Sequence, residues 1–380
     1  MGLKIMEDNL KKIKAAIAGG SGYTGLELLK LLFGHPHVKV VITTSNTYSG
    51  IAVCEAFPSF YMKNEAGCEE KEQLYFTSYS GLDEESFKEI DIIFLCLPAT
   101  ESMEFVKKYL NSFKGVIIDI GSDFRIKEPE NYRLWYGKEH VLKELLKSFV
   151  YGLPEINEDK IRSSKYIANP GCYPTSVLLA LAPVISNSMF DVCDINADSK
   201  SGVSGAGRKL KNEYLFYSLN DNFYAYSPTM HRHIGEIEQE LEALSGKETR
   251  ICFTPHLLPI DRGIFTSVYC RVYLKNHKSL KIQGTALKNA VYFKELKEKI
   301  NIAFADFYKN SLYVRFLGEK IPQVKDVAGT NMCHIGYCLD ERTGYLKIFS
   351  VLDNLMKGAA GQAVQNMNLV FGYEQKEGLY

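Results

Sequence analysis

Short apolar runs alternate with helical patterns over the first 150 residues. The run KAAIA at 14–18 is followed by the turn GGSGYTG and then by LELLKLLF, whose leucines recur at helical spacing. VKVVITTS, IDIIFLCLP and GVIIDIGSDF are further apolar runs, and the stretch ESMEFVKKYL between the last two has a helical pattern. Strands rich in Ile and Val that are separated by helices indicate a parallel sheet covered on both faces. The first part of the chain therefore predicts a doubly wound α/β domain.

The pattern changes after residue 151. GIFTSVYCRVY at 263–273 and YLKIFSV at 345–351 alternate polar and apolar residues over longer strands, which favours an antiparallel sheet with one covered face. The segment DNLMKGAAGQAVQNMNLVFG near the end predicts a long helix that packs against one of the sheets. We therefore expect an α/β protein with a second, α+β domain built on a mainly antiparallel sheet. No flexible linker separates the halves, so the boundary between 150 and 168 is soft.

Composition narrows the possible partners. The 380 residues are 46% apolar and carry 45 basic and 45 acidic side chains, so no field of one sign attracts nucleic acid or an anionic membrane surface. No apolar run approaches the roughly 18 residues that a membrane span needs. Nine cysteines without a CxxC pair, behind a start that lacks a signal sequence, indicate free thiols and a cytoplasmic protein. Residues 1–12 are expected to form a flexible tail.

A GxGxxG motif made by Gly20, Gly22 and Gly25 stands between the first strand and the first helix. In that setting the backbone from Gly20 to Gly25, which includes Ser21, Tyr23 and Thr24, approaches a pyrophosphate at the helix N-terminus. The alternative is a tight turn without a ligand. The second strand ends in residues 43–46, with Ser45 where NAD-binding proteins usually place Asp or Glu. The uncharged end favours NADP, although it leaves NAD open.

Cys172 stands in IANPGCYPTSVLLALAPV, which predicts a strand, a Pro-Gly turn and a helix that begins close to the thiol. Because helix N-termini stabilise anions, the pattern predicts a lowered pKa for this thiol and a thiolate at neutral pH. Two interpretations stand side by side here: a nucleophile, or a buried and inert thiol. The other eight cysteines lack a comparable setting.

The segment SKSGVSGAGRK predicts a loop in which backbone N–H groups and fixed cations hold a phosphate or carboxylate. Its alternative is a solvated flexible loop. The residues that support an anion site are the glycines Gly202, Gly205 and Gly207, the serines Ser199, Ser201 and Ser204, and the cations Lys200, Arg208 and Lys209.

A pair of histidines, His231 and His233, opens the predicted helix HIGEIEQELEAL. A helix N-terminus disfavours the imidazolium form, and a neutral histidine suits a general base. Glu236, one turn into the helix, either orients a histidine or favours the helix dipole. A metal site is not expected, because no second cluster has matching spacing.

These motifs, in this order, resemble the N-acetyl-γ-glutamyl-phosphate reductase family of arginine biosynthesis. The resemblance runs almost end to end, and its number of ordered matches makes it specific. It is carried by GGSGYTGLELLKLL, IGSDFR, YGLPE, NPGCYPTS, SKSGVSGAGR, HRHIGEIEQEL, FTPHLLPIDRGIFTSVY, GTNMCHIG and DNLMKGAAGQAVQNMN. The chain departs from the family at Gly235, where proline is usual, and glycine loosens the first helical turn.

The resemblance implies a semialdehyde dehydrogenase-like fold, with a Rossmann-like domain that binds NADP(H). It implies that Cys172 is the nucleophile and His233 the acid/base in the NADPH-dependent reduction of N-acetyl-γ-glutamyl phosphate through a thioester. His231 would position the substrate, and the division of roles between the two histidines stays open. Arg125 and Arg208 are implied substrate binders, and Lys200 and Ser201 lie in the same predicted anion loop as Arg208. Asn354 is an implied cofactor contact.

The expected domains are 13–165 together with 352–380 for NADP(H), and 166–351 for catalysis and oligomerisation. The expected partners are a small acyl phosphate and further copies of the chain, in a homodimer or homotetramer. The alternatives are the same chemistry on aspartyl phosphate or on a carrier-bound aminoadipyl phosphate, a non-catalytic NADP-binding sensor, and a cysteine hydrolase that needs no dinucleotide.

Overall fold

The computed structural model describes residues 12–60, 73–275 and 286–379, arranged around two seven-stranded sheets. The tail predicted for residues 1–12 lies outside these ranges except for Lys12. No helix in the described ranges combines the length and apolar character that crossing a membrane requires.

The first sheet is parallel throughout, in the order β3-β2-β1-β4-β5-β7-β6. Its central strands β4 and β5 are buried along their whole length, because helices cover both faces of the sheet. The doubly wound expectation is confirmed. The strands are β1 (Ile13–Ala18), β2 (Val38–Thr44), β3 (Phe76–Thr77), β4 (Ile92–Leu95), β5 (Val116–Asp119), β6 (Val150–Tyr151) and β7 (Tyr166–Ala168).

Five helices connect these strands: α1 (Tyr23–Phe33), α2 (Val53–Ala56), α3 (Ser102–Tyr109), α4 (Pro129–Tyr136) and α5 (Pro154–Arg162). The strand β7 hydrogen-bonds to β5 and β6, so residues 166–168 lie in the first sheet and the chain leaves that sheet just after them.

The second sheet is mixed but mainly antiparallel, as expected, in the order β12-β13-β14-β11-β8-β10-β9. Only the pairs β8/β10 and β12/β13 are parallel among the strands described. The strands are β8 (Phe190–Gly202), β9 (Tyr224–Ala225), β10 (Cys252–Leu258), β11 (Ile264–Leu274), β12 (Val314–Phe316), β13 (Cys333–Asp340) and β14 (Tyr345–Leu352).

The helix α6 (Cys172–Ile185) links the two sheets. All of its residues after Cys172 are buried, which fits a helix that is apolar on every side. It packs on the second sheet together with α8 (His233–Ser245) and α9 (Ala286–Tyr308), while the short α7 (Phe216–Leu219) lies in the segment before β9. The burial of α6 fixes the position of its N-terminus, and therefore of Cys172, just after β7.

The end of the chain returns to the first sheet, as the sequence predicts. The predicted long helix begins as one π-helical turn, Met356–Ala360, and continues as α10 (Gly361–Phe371). Apolar residues of both parts share a core with α1 and the first sheet. The Asn366 amide donates to the Gly152 carbonyl (2.8 Å) and to Asn169 Oδ1 (3.0 Å), beside the loop that leads to Cys172.

Candidate active site

A cavity of about 700 Å³ opens at the carboxyl ends of the parallel strands. Strands β1 and β4 are neighbours there. The strands that follow β1 are added on one side of this pair, and those that follow β4 are added on the other side. Ligands of open α/β sheets bind at such a switch point. Residues that follow β1, β2, β4 and β5 line this cavity, as do parts of the catalytic segments that follow β7 and β8.

The glycine turn fits against the sheet so closely that side chains are excluded. A Cβ on Gly20 would lie 1.9 Å from Thr43 Oγ1, and one on Gly25 would lie 2.4 Å from the Gly19 carbonyl oxygen. Gly19 itself has a φ of +86°, a conformation that favours glycine. Gly22 caps α1, and a Cβ there would meet only the Gly19 carbonyl oxygen, at 3.6 Å, so a phosphate can approach its backbone from the cavity.

Hydroxyl groups tie this turn to the end of β2. Ser21 Oγ donates to Ser45 Oγ (2.8 Å), and the Gly19 N–H donates to Thr44 Oγ1 (2.9 Å). Ser45 also accepts from the Tyr48 N–H (3.2 Å). Tyr23 and Thr24 line the same cavity. All the predicted dinucleotide residues of the turn except Gly20 line it, and Gly20 supports the turn from behind.

Part of the predicted anion loop is strand instead. Because β8 extends to Gly202, Lys200 and Ser201 alternate across the sheet. Ser201 lines a second cavity of about 420 Å³, whereas the Lys200 ammonium forms an ion pair with Asp198 and lines neither cavity. The loop proper begins at Val203, and its Gly207 has a φ of +81°.

Cys172 lies where the two cavities meet. It is the first residue of α6, as predicted, and it lines both the larger and the smaller cavity. Gly205, Ala206, Arg232 and His233 also line both. The thiol therefore faces the dinucleotide cavity on one side and the smaller cavity on the other.

The expectation of a lowered thiol pKa is wrong for the ligand-free protein. Burial raises the pKa of Cys172, and this effect outweighs Arg125, the Tyr173 N–H and Arg232, which all favour the thiolate. The helix start contributes through one N–H group, but desolvation of the sulfur is larger. A base is needed to remove the proton.

Both histidines of HRH are neutral at physiological pH. Burial and the neighbouring Arg232 lower the pKa of His231 to about 4, and burial with the charges of Arg232 and Arg125 holds the pKa of His233 well below its ordinary value. The His233 N–H donates to His231 Nδ1 (3.2 Å), so neutral His231 carries its proton on Nε2. Within the described ranges, His233 Nδ1 is buried without a hydrogen-bond partner.

Gly171 lies tightly against His233 and Arg125. A Cβ on Gly171 would lie 2.6 Å from His233 Nε2 and 2.8 Å from Arg125 Nη1, so only glycine fits before Cys172. This close approach places the start of α6, His233 and Arg125 side by side.

The buried Arg125 guanidinium is held by the protein. It donates through Nε to the Asn169 carbonyl (2.8 Å), through Nη2 to the Ile120 carbonyl (2.9 Å) and through Nη1 to Glu236 Oε2 (3.2 Å). These bonds leave two of its five N–H groups for a ligand. Arg125 therefore acts on the site through its positive charge more than through bidentate hydrogen bonding.

Glu236 connects three parts of the site, which the sequence alone did not settle. Its Oε1 accepts from the Gly171 N–H and from the Tyr151 hydroxyl, both at 2.8 Å, while Oε2 faces Arg125. The carboxylate is fully buried. It orients the loop before Cys172, and it does not contact a histidine through any hydrogen bond recorded among the described residues.

Arg232 is the residue that the sequence analysis missed. It stands between the two histidines, lines both cavities and is exposed, and among the described residues none forms an ion pair or hydrogen bond with it. Its position inside the HRH motif was the signal in the sequence that could have identified it.

Asn354 supports the loop that lines the cofactor cavity. Its Oδ1 accepts from the Gly263 N–H (2.6 Å), and its Nδ2 donates to Ser204 Oγ (3.0 Å). The side chain lines the larger cavity, so it holds the loop and leaves one amide hydrogen for a ligand.

Family models match most of the chain. Residues 14–164 match the model described as semialdehyde dehydrogenase, NAD binding domain, and residues 172–354 match semialdehyde dehydrogenase, dimerisation domain. An N-acetyl-gamma-glutamyl-phosphate reductase of Pelotomaculum thermopropionicum is 41% identical over 97% of both chains. One from Alkaliphilus metalliredigens is 43% identical over 97% of this chain and 98% of its own. The chain belongs to the N-acetyl-γ-glutamyl-phosphate reductase family.

Solved structures show the same fold at low identity. Aspartate semialdehyde dehydrogenase II of Vibrio cholerae, complexed with ASA, has a TM-score of 0.66 at 17% identity and covers 95% of this chain and 99% of its own. The Candida albicans aspartate semialdehyde dehydrogenase with NADP has a TM-score of 0.62 at 15% identity over the same shares. The semialdehyde dehydrogenase-like fold is confirmed.

One departure from the family pattern has a structural counterpart. At Gly235, where the resemblance led us to expect proline, an added Cβ would lie 2.2 Å from Trp135 Nε1. The indole therefore packs directly on the first turn of α8 and covers the position that a side chain would occupy. The loosening expected from glycine is offset by this contact, because the ring limits movement of the turn that carries His233.

Proposed function

We propose that the protein reduces N-acetyl-γ-glutamyl phosphate to N-acetyl-L-glutamate 5-semialdehyde and phosphate with NADPH, reversibly, in arginine biosynthesis. The observation that carries this proposal is the shared lining of the two cavities. Cys172 and His233 stand between a cavity with a dinucleotide turn and a smaller cavity of about 420 Å³ that suits an amino-acid derivative. A hydrolase or a sensor needs no such junction.

The larger cavity fits a dinucleotide phosphate. The tight packing of Gly20 and Gly25, together with the position of Gly22 in the cavity wall, is the arrangement that lets backbone N–H groups approach a pyrophosphate. NADPH, when bound, supplies the hydride that reduces the acyl group. The neutral hydroxyl groups around Ser45 favour NADP(H) over NAD(H).

The acyl transfer step uses Cys172 and His233. Neutral His233 accepts the thiol proton, the sulfur attacks the acyl carbon, and the carbon–oxygen bond to phosphate breaks to leave a thioester. Backbone N–H groups at the start of α6 stabilise the oxyanion of the tetrahedral intermediate. The low pKa of His233 in the free protein becomes less unfavourable when an anionic substrate offsets the charge of Arg232.

Reduction of the thioester gives a thiohemiacetal on Cys172 whose oxygen carries a negative charge. Its carbon–sulfur bond breaks as the aldehyde forms, and protonated His233 returns a proton to the departing sulfur. The protein therefore ends the cycle with a neutral thiol and a neutral histidine, which are the states that burial favours in the free site.

The substrate's anionic groups meet two kinds of cation. Arg232 offers a free planar fork to the substrate carboxylate or phosphate, and Lys211 lines the smaller cavity. His231 and Ser201 line it as well and supply hydrogen bonds. Arg125 contributes mainly its buried charge, since three of its N–H groups are already engaged.

The assembly and domain division are part of the same proposal. The NADP(H) domain comprises 13–165 with 352–380 and gains 166–168 through the pairing of β7, while the remaining residues to 351 form the catalytic domain. The match of 172–354 to a dimerisation domain supports a homodimer or homotetramer. The role in amino-acid biosynthesis supports a cytoplasmic location.

The function is tested by following NADP⁺ reduction with N-acetylglutamate semialdehyde, first with phosphate and then without it. We expect turnover that requires phosphate and that is much lower with aspartate semialdehyde or a carrier-bound aminoadipate semialdehyde. A hydrolase would leave the semialdehyde unchanged and would release acetylglutamate from the acyl phosphate without a nicotinamide, and a sensor would bind NADPH without turnover. Either result, or a preference for another aldehyde, would contradict the assignment.

The role of Cys172 is tested by Cys172→Ser. Turnover should fall by at least about a thousandfold, because a neutral hydroxyl is a far weaker nucleophile than a thiolate, while NADPH binding stays intact. The matched control is Cys193→Ser, a change at an exposed cysteine of the second sheet. Full activity of the Cys172 variant, or equal losses in both variants, would refute the nucleophile.

A further inference from the structure

We propose that Arg208, from the loop after β8, binds the 2′-phosphate that distinguishes NADP(H) from NAD(H). The inference rests on the proposed NADPH-dependent function and deepens it. It assigns to the catalytic half of the chain a specificity determinant that Rossmann-like domains more often carry themselves, and it replaces the substrate role expected for this arginine.

The side chain of Arg208 crosses from the second sheet to the glycine turn. Its Nη1 donates to the Ser21 carbonyl (2.9 Å) and its Nη2 donates to the Tyr48 hydroxyl (3.3 Å). The guanidinium also lies over the rings of Phe57 (4.9 Å) and Tyr48 (5.7 Å). These contacts fix an otherwise exposed side chain beside the end of β2.

The end of β2 is where a bound dinucleotide presents its adenosine ribose. Ser45 and Asn46 line the cavity there, and neither carries a charge that would repel a phosphate. Among the described lining residues the one carboxylate is Glu101, which follows β4 instead. Arg208, with Lys209 beside it, is therefore the cation at hand for a phosphate on this ribose.

The chemistry of the side chain fits this ligand. Arg208 retains Nε–H and two further N–H groups after its two hydrogen bonds, enough for a bidentate contact with phosphate. It does not line the smaller cavity with Cys172, so its geometry does not suit the substrate. Stacking on two aromatic rings also leaves one guanidinium edge free for an anion.

The loop that carries Arg208 is anchored in the catalytic half. Ser204 donates to the Asp261 carbonyl (2.7 Å) and accepts from Asn354 Nδ2 (3.0 Å). The same loop contributes Gly205 and Ala206 to the wall beside Cys172. Binding of the 2′-phosphate would therefore hold in place the loop that borders the reacting thiol.

The test compares binding of adenosine 2′,5′-bisphosphate and 5′-AMP by calorimetry, and of NADPH and NADH by fluorescence, in the full chain. The wild type should bind the bisphosphate more tightly. Arg208→Met should weaken the bisphosphate and NADPH by about 10- to 100-fold, the range for a charge-assisted contact, and change 5′-AMP and NADH by less than about threefold. Arg208→Lys should restore part of the difference. Arg250→Met, a change at an exposed arginine paired with surface carboxylates, is the matched control.

Equal weakening of all four ligands by Arg208→Met would show a general structural effect and overturn the proposal. The proposal would also be overturned if Arg208→Met left the preference for the 2′-phosphate unchanged, or if Lys209→Met alone removed that preference. These measurements need neither acyl phosphate nor turnover. If the preference for the 2′-phosphate depends on Arg208 but the protein has no semialdehyde activity, only the proposed reaction is refuted. If the activity is normal but the preference does not depend on Arg208, only this inference is refuted.

Discussion

Replacing Glu236 with glutamine tests whether one buried carboxylate holds the site together. Three donors converge on its two oxygens: the Gly171 N–H, the Tyr151 hydroxyl and Arg125 Nη1. A glutamine can still accept the first two on its carbonyl oxygen. Its NH₂ group would then face the Arg125 guanidinium, donor against donor, at about the present 3.2 Å.

The magnitude follows from burial of the pair. Side chains of Arg125 and Glu236 are 6% and 0% exposed, so water cannot replace the lost partner. Removing one member of a buried ion pair costs about 3–5 kcal/mol. Since domains are stable by only about 5–15 kcal/mol, the loss should be plain in urea unfolding followed by fluorescence. Alkylation of Cys172 should also change in rate, because the loop before it loses an anchor.

The control is Glu242→Gln, an exposed residue on the same helix, for which a change within about 0.5 kcal/mol is expected. If Glu236→Gln unfolds at the urea concentration of the wild type and Cys172 reacts at the wild-type rate, the carboxylate does not hold this site. A loss of stability without any change at Cys172 would refute its positioning role alone.

Two further predictions concern α8. Gly235→Ala should destabilise the protein by about 1–3 kcal/mol, because the new Cβ meets Trp135. In a Trp135→Leu background the same change should instead stabilise the helix by up to about 1 kcal/mol. Thermal unfolding measures both effects, and the same sign in both backgrounds would disprove the contact. The lowered pKa values of His231 and His233 mean that the unfolded chain takes up protons which the folded chain refuses, so stability present above pH 6.5 is lost as pH falls toward 4, by up to about 1.4 kcal/mol per pH unit for each histidine. His231→Gln should lose less stability than the wild type between pH 7.5 and 5.5 in urea titrations, and an equal loss would contradict the assigned burial.

Patterns within short segments correctly predicted the local secondary structure around the candidate site residues. Hydrophobic periodicity and the positions of glycine and proline located the strand, turn and helix around Gly20, the helix start at Cys172 and the helix that follows HRH. Each of these depends on residues within about ten positions of one another. The order of the motifs along the chain then indicated the family.

Errors arose where distant residues decide the outcome. The predicted anion loop contains Lys200, but pairing of β8 with β10 and β11 makes this residue part of a strand. The prediction of a low pKa for Cys172 took account of the helix start but not of the burial of the sulfur, which raises the pKa. Arg208, expected to bind the substrate, lies beside Ser21 and does not line the smaller cavity, and the sequence analysis did not single out Arg232, because spacing does not show which way a cation points.

The sequence by itself determined the fold class, the glycine turn and the place of Cys172 at a helix start, because backbone geometry and hydrophobic period are set by local sequence. Only the tertiary structure decided which charges meet. Glu236 reaches Gly171 across 65 positions and Arg208 reaches Ser21 across 187, and no local pattern encodes such pairs. They exist because α6 packs on the second sheet directly after β7 of the first sheet, and that packing brings the ends of separate elements together.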